Sequence, residues 1–126
     1  MTRPELPADV RRFILTSIPS VPYLEAVLLL RAEPATAWGV AELARRLYVP
    51  ERTATELLEQ LTASGIAAPV GDSKTARYAP TPELRDVVDR LAQAYSTDLV
   101  AITDLIHSRI DRRAQRFADA FRFRKE

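Results

Sequence analysis

Between Val40 and Leu61, two apolar-striped segments stand three residues apart, and this spacing constrains the fold more than any other feature of the chain. Val40, Leu43, Ala44 and Leu47 fall on one face of a helix. Ala54, Leu57, Leu58 and Leu61 fall on one face of a second helix, running from about Glu51 to Ser64. Tyr48-Val49-Pro50 breaks the first, since the residue before a proline is driven away from helical backbone. Gly65 is a natural stop for the second. Helices this short bury their stripes only by crossing, and the small Ala44 permits the close approach that a crossing needs.

The flanking sequence supplies a frame for this pair. Leu6, Val10, Phe13, Ile14 and Ile18 predict an amphipathic helix over about 7–17, stopped by Pro19. Ser20-Val21-Pro22 opens a second helix, Tyr23 to Arg31, whose apolar residues cover most of its surface and predict a central, buried position. Ala37-Trp38-Gly39 reads as a short extended segment, with Trp38 as core. Residues 66–70 and 76–79 are short extended runs joined by Gly71-Asp72-Ser73-Lys74-Thr75, a β-hairpin that Pro69 and Pro80 keep short and at a sheet edge. Thr81-Pro82-Glu83 has the cap, first-turn proline and acid of a helix start. From there Leu84, Val88, Leu91, Tyr95, Ile102 and Ile106 make one long stripe, with Ser96-Thr97 as a place to kink or split it. Residues 112–123 are expected to form a last helix.

The order helix, turn, helix, Gly-Ile, hairpin, helix resembles the winged helix-turn-helix regulator superfamily, loosely the multiple-antibiotic-resistance regulator type. The segments carrying the resemblance are VAELARRLYVPERTATELLEQLTASGIA and ARYAPTPEL, about Val40 to Leu84. The resemblance implies a mostly α fold with a small β-hairpin wing and extra N-terminal and long C-terminal helices. Residues 1–80 would hold the N-terminal helices and the winged unit, and 81–126 a helical dimerisation region with a basic tail. It implies a DNA-binding transcriptional regulator whose second motif helix enters the major groove. Tyr48 stands where many such motifs have glycine, so the turn is expected to depart from the usual geometry.

Charge bears on that function. The chain has 18 basic and 17 acidic side chains and a net charge of +1, which gives no strong global pull on nucleic acid. Residues 51–65 carry a net −2 and residues 111–126 a net +3. The outward face of the helix from Glu51 would present Arg52, Thr55, Glu56 and Glu59, one arginine among carboxylates. Phosphate contacts supply most non-specific affinity for duplex DNA, so cations elsewhere must offset this face. The expected DNA contacts are Arg45, Arg46, Arg52, Thr53 and Thr55 on the two helices, and Lys74 and Arg77 in the wing. The alternative is a winged-helix module that binds a protein of the transcription or signalling machinery through its acidic helix and aromatic-basic tail, without direct DNA contact.

A continuous helix over 82–110, about 28 residues long, spans roughly 40 Å. A winged domain is too small to cover it, which favours a homodimer through that helix, its stripe forming a seam with helix 7–17; the alternative is that the stripe packs within the monomer. In the tail, Arg116, Phe117, Phe121, Arg122, Arg124 and Lys125 interleave aromatic and basic residues and are the expected contacts for a protein partner. An enzyme is not expected. Three glycines leave no phosphate-cradling loop, and the single histidine, His107, lies in a helix with no nucleophile paired to it. With no cysteine and one histidine, neither a disulfide nor a typical zinc site is expected, and no cofactor is implied. The longest apolar run, Ala26 to Leu30, is too short for a bilayer, and a cytoplasmic location is the expectation.

Overall fold

A computed structural model describes residues 6–108 of the 126-residue chain. The last predicted helix and the aromatic-basic tail, Arg116 to Lys125, lie outside the described residues. The fold is mostly helical with one small antiparallel sheet. Its elements are α1 (Ala8–Ser17), α2 (Val21–Ala32), α3 (Val40–Leu47), α4 (Glu51–Ala63), β1 (Ala67–Pro69), β2 (Ala76–Tyr78) and α5 (Pro82–Thr97). A further helix, α6 (Leu99–Ser108), follows. No single helix among the described residues is long and apolar enough to cross a membrane.

The core is organised around α2. Tyr23, Leu24, Ala26, Val27 and Leu30 are buried, and Leu28 and Leu29 are half-buried, so the helix is covered on nearly all sides. It packs on α3, α4, α5 and β2, while α1 packs on α5. Its start is set by local chemistry: Ser20 Oγ accepts a hydrogen bond from the Tyr23 N–H at 3.2 Å, and Pro22 lies in the first turn, where no donor is needed. Pro19 ends α1, and the chain turns through 118° into α2. At the far end of α4, the hydroxyls of Tyr23 and Ser64 lie 2.9 Å apart, which ties the two helices.

The hairpin register explains how a proline is tolerated in a strand. Pairing runs Ala67↔Tyr78, Ala68↔Arg77 and Pro69↔Ala76. The flanking bonds, Val70 N–H to Thr75 O and Ala79 N–H to Ile66 O, put Pro69 at a position of the ladder that exchanges no bonds with its partner. Ala76 instead exchanges both of its backbone bonds with Trp38, at 2.8 and 3.0 Å. The extended segment expected at 37–39 is therefore a single bridge on the far side of β2. Trp38 is fully buried, as expected from the sequence.

Two expectations are corrected. The turn between α3 and α4 does not change geometry: Tyr48 itself takes the left-handed conformation, φ 58° and ψ 45°. The Val49 N–H reaches back to the Ala44 carbonyl at 3.0 Å, a bond from one residue past the cap that closes the helix end. The continuous helix over 82–110 is also absent. Asp98 (φ −147°, ψ 66°) interrupts it, and its Oδ1 accepts the Ala101 N–H at 3.2 Å, which caps α6. Ser96 and Thr97 bond back to the Gln93 and Ala94 carbonyls at the end of α5, the competition with the backbone that the sequence points to. With the stripe broken there, Val88, Leu91, Ile102 and Ile106 are all buried in the same core. Neither α5 nor α6 has the length that called for a dimer to cover it. Leu99 and Val100, 47% and 55% exposed, are the large apolar residues left at the corner.

Candidate nucleic-acid interface

The outer face of α4 carries the expected side chains, since Ala54, Leu57, Leu58 and Leu61 all turn inward. Glu51, Arg52, Thr55, Glu56 and Glu59 are exposed, and Thr53 is half-buried. Arg52 is 92% exposed, and its nearest carboxylate, Glu56, is 3.9 Å away, too loose a pair at the surface to hold it. Thr55 is less available: its hydroxyl donates to the Glu51 carbonyl at 2.9 Å, so its one donor is used within the helix. No side chain caps the start of α4, where Pro50 stands, so its first N–H groups have no side-chain partner from a cap.

The expected cations divide into two groups. Arg46 belongs to the protein's own fold. Its Nη2 donates to Glu33 at 2.6 Å, and its guanidinium lies 5.3 Å from the centre of the Trp38 ring. Glu33 stands 13 residues earlier in sequence, so no local spacing reveals the pair. Arg45, Lys74 and Arg77 are exposed, on α3, in the hairpin turn and on β2. Arg77 lies on the face of β2 opposite Ala76 and Tyr78, as alternation along a strand requires. Arg45, Arg52, Lys74 and Arg77 are thus exposed without a close partner among the described residues, whereas Arg46 is engaged with Glu33 and Trp38 while 45% exposed.

A groove of about 440 Å³ runs between the outer end of α4 and the hairpin, walled by Leu58, Thr62, Pro69 and Ala76, with Glu59 and Lys74 also lining it. Tyr48 is absent from the contacts expected from the sequence. It is 95% exposed, the most exposed large apolar side chain described. Its position outside both apolar stripes is the signal that would have found it.

The tyrosines of the core titrate away from the ordinary value of 10.0. Burial raises the Tyr23 hydroxyl, partly opposed by its bond to Ser64. Burial also raises Tyr78, and the Asp89 carboxylate raises it further, against Arg31 and Arg85. Both sit behind the candidate interface. Among the described residues no group of three His, Asp or Glu side chains could hold a metal, and His107 is exposed.

Comparison with protein-family models, curated proteins and solved structures finds no match.

Proposed function

We propose that the protein is a winged-helix transcriptional regulator that binds double-stranded DNA, α4 entering the major groove and the β1–β2 hairpin following the backbone. One observation carries the reading: α3 and α4 turn their apolar stripes inward, with Leu43, Ala44, Ala54, Leu57, Leu58 and Leu61 buried, and leave Arg45 and Arg52 exposed with no ion pair closer than 3.9 Å among the described residues, as Lys74 and Arg77 of the hairpin are exposed. The Trp38 bridge to Ala76 supports it, because it anchors the hairpin to the segment that leads into α3. In this reading the active form is a homodimer. Two copies double a small set of cations and address half-sites about one helical turn apart (~34 Å).

Selection of bound sequences from fragmented genomic DNA by the purified protein tests this. The expected result is an enriched site with paired half-sites, bound more weakly by Arg52→Glu. No retained duplex at low salt overturns the reading.

A second reading rests on the three exposed carboxylates of α4, Glu51, Glu56 and Glu59, which disfavour phosphate. The same fold would then dock a basic protein surface through α4. Binding of such a partner from DNA-free extract, lost on Glu56→Lys, separates it from the first.

A further inference from the structure

The chain ends two successive helices with the same backbone device. At the end of α4, Gly65 takes φ 81° and the Ile66 N–H returns to the Leu61 carbonyl at 3.0 Å. At the end of α3, Tyr48 takes φ 58° and the Val49 N–H returns to the Ala44 carbonyl, also at 3.0 Å. Glycine enters this conformation freely, whereas any other residue pays roughly 1–2 kcal/mol. Tyr48 is the one non-glycine residue with positive φ among those described. The ring gains nothing from the fold in return, being 95% exposed. A strained backbone carrying a large unburied side chain points outward, to something the chain binds.

We propose that Tyr48 is a DNA-contact residue, its hydroxyl donating a hydrogen bond to a phosphate of the duplex. The proposal rests on the DNA-binding reading above. Three features of the surroundings fit a phosphate. Tyr48 lies three residues after Arg45 and four before Arg52, both exposed. It lies three residues before Glu51, the first residue of α4, whose first N–H groups have no side-chain cap. It is also a neutral donor, of a kind that commonly bonds phosphate oxygens. That matters on this surface: Glu51 occupies the same first turn of α4 and offsets the cations, so an uncharged donor adds affinity where charge is already balanced.

A neutral contact releases no counterion, and this gives the proposal its own signature. Affinity for the selected duplex is measured across a salt series for the wild type, Tyr48→Phe, Tyr48→Gly and Arg45→Gln. Tyr48→Phe and Tyr48→Gly are expected to bind about tenfold more weakly, the effect of losing one hydrogen bond to a charged group. Both should keep the wild-type slope of log K against log salt, while Arg45→Gln should flatten it by about 0.9. The melting temperature of Tyr48→Gly should equal or exceed that of the wild type, since glycine relieves the strain; this separates lost contact from lost fold. If the wild type binds and Tyr48→Phe binds equally well, the Tyr48 contact is wrong and the DNA reading stands. If the wild type retains no duplex at about 50 mM salt, both fall.

Discussion

Arg46 illustrates how a side chain expected to contact DNA is also engaged by its neighbours within the fold. Its guanidinium sits over Trp38 and against Glu33, with 45% of the side chain still exposed. A cation–aromatic contact and a surface ion pair of this kind together contribute about 0.5–2 kcal/mol. Arg46→Ala is therefore expected to lower stability by about that amount in urea titration, with DNA affinity changed far less than by Arg45→Gln. Tyr23 carries the second prediction at this scale. Its hydroxyl titrates above the ordinary 10.0 in the folded chain, so above that pH the unfolded chain holds fewer protons than the native one. Stability is then fully present below about pH 10 and is lost as pH rises through the folded value. Melting temperatures followed from about pH 9 to about pH 11 should fall, and Tyr23→Phe should flatten part of that fall.

Among the elements, α6 depends on a single carboxylate for its beginning. Asp98→Ala removes the cap on the Ala101 N–H and is expected to cost about 1 kcal/mol, read as faster amide exchange over residues 99–103. Most elements were legible in the sequence because their signals are local. Ser20 and Thr81 cap α2 and α5 as their positions predict, and Gly65 closes α4. The apolar stripes of α3 and α4 place the core residues correctly. What was not legible arises from competition or distance. The split at Asp98 sits one residue past the expected weak point, and periodicity alone carries the stripe straight through it. The turn at Tyr48 was misjudged because residue type was taken to set the backbone, whereas the helix-closing bond to Ala44 holds the left-handed conformation despite the side chain. Of the expected DNA contacts, Arg45, Arg52, Lys74 and Arg77 lie where exposure permits the role. Arg46 and Thr55 are exposed as well, but the Arg46 Nη2 already donates to Glu33, 13 residues away, and the Thr55 hydroxyl to the Glu51 carbonyl in its own helix.

Across the whole molecule, charge is nearly balanced, and the α3–α4–hairpin unit shares this balance, with net zero over residues 40–80. Its four available cations set the scale of the salt response. If each meets one phosphate, the slope of log K against log salt is about −3 to −4 per chain, and twice that for a dimer on a paired site. A much steeper slope from fluorescence anisotropy titrations would mean that basic residues outside 40–80 carry the binding. The placement of the ion pairs has a mechanical consequence. Asp9 of α1 and Asp89 of α5 pair with Arg90 and Arg31, which clamps α5 to α1 and α2. The α3–α4 pair is reached from α5 principally through α2, which touches both sides. α2 thus joins the two sides of the molecule from within the core, through a helix on which Leu24, Val27 and Leu30 are all fully buried.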